Sequence, residues 1–388
     1  MTHTGLSGTR LVSTTQTVAR IDNIFEYLGA DGFAWISDDT SIITSGVASR
    51  VGVADVQTTL NEINGDEAIA CGALPFTDAR SATLVIPARV VRQNRTETTI
   101  TTIEGAAIGT AHRYAQTPLR FTVEALQDLT AWDAIVASAL ALIDDGAVDK
   151  IVLAREVLIT ADHDFNVPEV ITTLHRTQPG CFIYANCGFV GASPELLVRR
   201  TGRHVVSKPM AGTVARQASI EADDATIAAL RASMKDNAEH RYVVEAVVGA
   251  LANHCDNIEI SDALPVLLAT VSHLTTSITA TLTDSSSALD LALALHPTPA
   301  VGGTPTAAAL QAITALEPFD RRSYAGPVGW VDRNGNGEFA VALRCAELQG
   351  NTARLVAGVG IVDGSDPDLE WAETQAKLEP MLRALVRP

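Results

Sequence analysis

No apolar run in these 388 residues is long enough to cross a bilayer as a helix. The first twenty are rich in Ser and Thr and carry no acidic residue, a faint likeness to a transit peptide, but they lack the apolar core of a secretory signal. They read as a frayed start in a cytoplasmic protein. Cysteines are few: Cys71, Cys181, Cys187, Cys255 and Cys345 are scattered, odd in number and without metal-type spacing, so reduced thiols are expected and a disulfide framework is not. Basic residues are also short, 28 against 45 acids, and the formal net charge of -17 argues against nucleic acid or an anionic membrane surface as partner. An anionic small molecule would need a locally cationic pocket, so each cation inside an apolar run matters. No internal repeat and no clear linker divides the chain.

What is plentiful is apolar material, 47% against 19% charged residues, enough for a large core. Alternation in 33–37 and 42–46 across Asp38-Asp39 predicts a strand pair, 81–87 a further strand, and 71–76 a buried connection. Apolar residues from Trp132 to Ile143 recur at helical spacing, with Thr130 as the cap candidate and Gly146 as the stop, ahead of a strand over 150–159. Runs at 181–190, 194–200 and 204–207 predict an antiparallel meander. Helices are expected in two pieces over 221–255 meeting near 235–239, at 287–295 and at 305–316, and strands at 271–282, 326–331, 338–348 and 353–360. Short turns between consecutive strands, with helices grouped, favour α+β over a doubly wound parallel sheet.

Two apparent motifs fail. Asp332-Arg-Asn-Gly-Asn-Gly337 begins like a calcium loop, but Leu343 stands where a bidentate Glu is required, so a hairpin turn is the better reading. Gly358-Val-Gly360 lacks the following helix of a dinucleotide site and suits close backbone approach to a ligand.

Near the end, Pro367 opens a helix on which Glu370, Glu373 and Lys377 share one face. Alone, that face reads as a solvated salt-bridged surface, worth about 0.3–0.5 kcal/mol per pair. Other stretches change the balance. Lys150 begins an apolar strand, where burial disposes an amine to serve as general base. Glu195 stands in the apolar run 191–198, where desolvation suits a carboxyl to serve as general acid. Arg344, inside the apolar 341–345, needs an anionic partner, because a buried unpaired charge is very costly. Glu239 and His273, taken singly, read as a surface acid and a satisfied polar residue.

Taken in order, Cys71-Gly-Ala-Leu-Pro-Phe76, Lys150-Ile-Val-Leu-Ala-Arg155, Gly191-Ala-Ser-Pro-Glu-Leu-Leu197, Pro209-Met-Ala-Gly-Thr213, Ala238-Glu-His240, His273-Leu274, His296-Pro-Thr-Pro-Ala300, Tyr324-Ala-Gly-Pro-Val-Gly329, Arg344-Cys345, Gly358-Val-Gly-Ile-Val362 and Glu370-Trp-Ala-Glu-Thr-Gln-Ala-Lys377 resemble the chorismate-utilising enzymes. That family includes isochorismate, salicylate, anthranilate and aminodeoxychorismate synthases, and the likeness is weak before residue 125. It implies an α+β fold of two large, mainly antiparallel β-sheets packed together with helices outside. It also implies one chorismate-binding domain over 1–388: a frayed 1–20, an N-terminal sheet portion 21–124 and a catalytic portion 125–388.

On the matching positions, Lys150 and Glu195 would be base and acid, and Glu239 and Glu373, with Glu370 close by, would hold Mg2+. Arg344 and Lys377 would hold carboxylates, helped by backbone around Gly212, Thr213 and Gly360, and His273 and Ala300 would line the site. Anthranilate synthases resemble one another in a Gln where Lys150 stands, so water rather than ammonia is the expected nucleophile and no glutaminase subunit is expected. Aminodeoxychorismate synthases tend to carry a lysine where this chain has Ala211. The expected activity is that of an isomerase, isochorismate synthase, with salicylate synthase as the alternative and anthranilate synthase component I a weaker one. Small Ala300 in 299–303 offers neither hydroxyl nor bulk to drive loss of the enolpyruvyl group. A non-catalytic chorismate-binding module would need the carboxylate-holding residues but not Lys150 together with Glu195. The expected assembly is a monomer or weak homo-oligomer. The product could serve siderophore or menaquinone biosynthesis.

Overall fold

The computed structural model describes residues 11–65, 67–108 and 117–386. Its strands form one hydrogen-bonded sheet of nineteen, with a separate sheet of three. The large sheet has two limbs, and these are the two large antiparallel sheets expected. The first runs in spatial order 13–18, 98–103, 83–93, 41–52, 33–36, 182–186, 189–193, 345–349, 352–361, 150–161 and 121–125. The second runs 69–73, 327–332, 337–341, 196–201, 204–208, 278–282 and 255–260. The limbs join where Cys71 meets Val85. Apolar residues of both, Trp35, Leu153 and Tyr184 from the first and Val328 and Phe339 from the second, share one core. Helices Val167–Thr177 and Pro367–Val386 cover another face of the first limb, with Leu174, Leu378 and Met381 packed against Val157 and Ala357.

The frayed start is corrected in part: Ser13–Val18, rich in β-branched residues, is a strand paired in register with Thr98–Ile103. Residues 1–10 lie outside the described residues. The helix expected from Thr130 is Leu129–Asp144, capped two residues earlier by Asp128, whose carboxylate accepts from the Ala131 amide. The 221–255 region breaks at Ser233, between Ile220–Ala232 and Met234–Leu251. Asp332 accepts from the amides of Asn334 and Asn336 in the turn read as a hairpin rather than a calcium loop.

The meander at 181–207 is also corrected. Phe182–Asn186 and Phe189–Ser193 are a hairpin of the first limb, whereas Leu196–Thr201 and His204–Lys208 belong to the second. The chain crosses between limbs at Pro194-Glu195, because Phe189–Gly191 finds its other neighbour at 345–347, far away in sequence. It crosses again between Gly337–Val341 and Cys345–Gln349, at Arg344. The two crossings are bonded to each other: the Val341 amide donates to the Glu195 carbonyl, and the Ala192 amide to that of Arg344. All five cysteines are free thiols.

Candidate active site

Beside these crossings lies a cleft of about 300 Å³. The start of strand Lys150–Ala161 and the end of Thr352–Ile361 form one wall, the small sheet of 210–215, 264–267 and 271–275 another, and the first turns of helix Pro367–Val386 a third. All twelve residues proposed from sequence line it: Lys150, Glu195, Gly212, Thr213, Glu239, His273, Ala300, Arg344, Gly360, Glu370, Glu373 and Lys377. Tyr324, Val301 and Leu343 also line it and were not foreseen as site residues. Tyr324 did lie in a run shared with the family, but nothing in that run points a phenol at the cleft.

Glu195 is 3% exposed, and burial raises its carboxyl from the ordinary 4.5 to about 7, against the opposing pull of the Met210 amide, Arg344, Lys150 and Lys377. It therefore still holds its proton in a good share of molecules at neutral pH. Lys150, 1% exposed, donates from Nζ to Glu239 Oε1 at 2.7 Å. That ion pair was not readable in advance, since its partners are 89 positions apart. Gly360 allows it: a Cβ there would stand 2.8 Å from Lys150 Cε and 3.1 Å from Glu239 Oε1.

Arg344 is buried in a left-handed conformation, φ 49°, which costs a residue with a Cβ about 1 kcal/mol or more. Its guanidinium donates to His273 Nε2 at 2.9 Å. A guanidinium only donates, so Nε2 must accept and Nδ1 carries the proton, which faces Thr213 Oγ1 at 3.0 Å. Burial, then the charges of Arg344 and Lys377, hold this imidazole well below its ordinary 6.5, and it stays neutral. Arg344 thus has an uncharged partner rather than the anionic one expected, and a cation beside an open cleft is free to take an anion.

Helix Pro367–Val386 begins with Pro367 as first residue, and Asp366 Oδ1 accepts from the amides of Asp368 and Leu369. Glu370 and Glu373 follow in its first turns, where the helix dipole favours acids. Lys377 Nζ donates to Glu373 Oε1 at 2.6 Å and to the Gly358 carbonyl at 3.0 Å. Across the strand, Arg155 anchors the helix: Nε donates to Thr374 Oγ1 at 2.7 Å, a second nitrogen donates to Gln375 Oε1 at 3.0 Å, and the guanidinium stacks 3.7 Å from the Trp371 ring.

Glu239, Glu370 and Glu373 all present hard oxygen donors to the one cleft, a donor set that suits magnesium. Among the described residues, no three His, Cys, Asp or Glu side chains form a metal cage, and Glu239 and Glu373 each hold an ammonium group instead. Also among the described residues, no helix is long and apolar enough to cross a membrane.

A buried acid, a strand-start amine and two cations in one cleft describe a site for a small carboxylated substrate. The chain belongs to the chorismate binding enzyme family, whose model matches residues 74–386. Curated relatives include isochorismate synthases. DhbC of Bacillus subtilis (strain 168) is 34% identical over 397 residues, covering 95% of this chain and 97% of that protein. MenF of the same organism is 42% identical over 264 residues, 66% of this chain and 56% of that protein. Among solved structures, MenF of Escherichia coli, titled the menaquinone-specific isochorismate synthase, superposes with a TM-score of 0.86 at 26% identity, over 97% of this chain and 95% of that one.

Proposed function

We propose that this enzyme is an isochorismate synthase: it converts chorismate to isochorismate by adding water at ring carbon 2 while the hydroxyl at carbon 4 leaves. The observation that carries the reading is the joint presence of Lys150 and the proton-retaining Glu195 in a cleft that also holds Arg344 and Lys377. Chorismate has two carboxylates, which match the two cations. Lys150 takes the proton of the attacking water, the ring double bonds shift, and Glu195 gives its proton to the departing hydroxyl. Proton count and composition are unchanged, as an isomerase requires. Lys150 must hold the free amine for this step, so its ion pair with Glu239 has to open on the way to turnover.

Glu239 and Glu373, with Glu370, would hold magnesium, which would supply positive charge for the ring carboxylate. Gly212, Thr213, His273, Ala300 and Gly360 would shape the pocket around the substrate. Ala300 supports release of isochorismate over elimination of its side chain, since it offers nothing to clamp the enolpyruvyl group. We place the enzyme in the cytoplasm, as a monomer or weak homo-oligomer needing no glutaminase subunit, nucleic acid or membrane. Both siderophore and menaquinone biosynthesis are open as destinations; one structural relative is titled menaquinone-specific.

The test is incubation with chorismate and magnesium near neutral pH, following isochorismate, pyruvate and salicylate together. Isochorismate with pyruvate at the enzyme-free background supports the reading. Stoichiometric pyruvate and salicylate would assign the chain to salicylate synthesis, and no consumption of chorismate would reject both.

A further inference from the structure

The strand that begins with Lys150 has an edge that backbone covers only in part. At its start, the Asp149 and Val152 amides donate to the Thr304 and Gly302 carbonyls at 2.7 and 2.9 Å. Further on, the Leu126 amide donates to the Glu156 carbonyl, and Gln127 Oε1 accepts from the Glu156 amide. Between these stretches the Val152 carbonyl and the Ala154 amide face the edge, and two side chains meet them. Arg321 donates to the Val152 carbonyl at 2.7 Å, and Glu317 Oε1 accepts from the Ala154 amide at 2.8 Å.

The same guanidinium donates to the Val301 carbonyl at 2.8 Å and is held by Glu317 through two hydrogen bonds, one of them 2.8 Å from Nε. It lies 4.4 Å from the Phe76 ring centroid. Both side chains are buried, 2% and 3% exposed, and neither lines the cleft. Val152 and Val301 do line it, beside Lys150 and Ala300.

We infer that the Glu317–Arg321 pair is a positioning device for the reaction: it fixes the spacing between the strand that carries Lys150 and the Ala300–Val301 wall. The inference rests on the function proposed above for what that spacing serves. A planar guanidinium bridging two backbone carbonyls sets their separation in a way an ammonium point charge does not. The attraction between the two charges is by itself a poor stability device, so what the pair adds is its bonds to the Val152 and Val301 carbonyls and the Ala154 amide. Spacing does matter to chemistry: a misplacement of about 1 Å can cost roughly 100-fold in rate. Arg344 and Lys377, which would hold the substrate carboxylates, stand on other elements, so ground-state binding should survive loss of the pair better than turnover.

The experiment uses the full chain with Glu317→Leu and Arg321→Met combined, which removes both charges and leaves neither buried alone. The expected result is a lower melting temperature, because the Val152 and Val301 carbonyls and the Ala154 amide lose their partners, and, in the variant that still folds, kcat down by about tenfold or more, KM changed by less than about threefold, and faster hydrogen exchange at the Val152 and Ala154 amides. Unchanged kcat, with or without faster exchange, would overturn the inference and leave the pair as a structural tie. If the double variant does not fold, Arg321→Lys measured in the same way decides, with wild-type kcat again overturning the inference. If the unaltered enzyme does not convert chorismate, the proposed function fails on its own. Exchange at Val152 and Ala154, together with calorimetric chorismate affinity, then judges the pair, and no change in either overturns it.

Discussion

Replacing Glu195 with Gln should make the protein more stable at alkaline pH and nearly inactive at every pH. In the folded protein the carboxyl keeps its proton to about 7, against an ordinary 4.5. Proton uptake on folding therefore stabilises the protein fully below about 4.5, and this stabilisation is lost as pH rises through about 7. At about 1.4 kcal/mol per tenfold in a proton equilibrium, holding Glu195 ionised costs the folded state roughly 3 kcal/mol. Glutamine keeps the shape and the acceptor for the Met210 amide but never ionises. Denaturant titrations between pH 5 and 9 should show the variant gaining on the unaltered protein by roughly 3 kcal/mol across that range. Turnover should fall about 10²–10⁴-fold, the usual worth of one proton transfer. In the unaltered enzyme kcat/KM should decline above about 7, as the acid of the free enzyme loses its proton. Parallel stability curves for the two proteins would refute burial as the cause of the raised carboxyl. Undiminished turnover in the variant would refute Glu195 as the acid.

Lys150→Ala should lower kcat by a similar 10²–10⁴-fold while the fold, followed by circular dichroism, stays intact, and wild-type turnover would remove it as the base. EDTA should abolish activity and added magnesium restore it, and Glu373→Ala should not be restored; full activity of metal-stripped enzyme would remove the metal from the reaction. Arg155→Lys loses the paired contacts to Thr374 and Gln375 and most of the stacking on Trp371, so unfolding free energy should drop by about 2 kcal/mol in denaturant titrations, with KM for chorismate raised as helix 367–386 shifts. Unchanged stability and KM would show that the helix is held by its apolar face alone.

The order of motifs along the chain was enough to show the resemblance to the family and to name twelve residues that line the cleft; some sit in short runs whose local chemistry is unusual, an acid among apolar residues at 195, an arginine in an apolar run at 344, three charges on one helical face at 370, 373 and 377, whereas Glu239, His273 and the backbone positions came from the resemblance alone. Local elements were also legible, since period and turn residues are properties of neighbours in sequence; the cap candidate Thr130 falls two residues from the cap itself, Asp128. Pairing across the chain was not legible. The 181–207 runs look like one meander because they are consecutive, yet backbone hydrogen bonds to 345–347 and 338–340 draw them into different limbs and leave Glu195 at the crossing. The same holds for partners. Nothing near Lys150 announces Glu239, nothing near Arg344 announces that His273 would accept from it, and nothing near Val152 announces Arg321. Burial and the nearest charge decide how a titratable group behaves, and both are supplied by residues tens to hundreds of positions away. Twelve of the residues that meet in the cleft could be read from the chain, but that Glu195 keeps its proton and that His273 stays neutral came only from the tertiary structure.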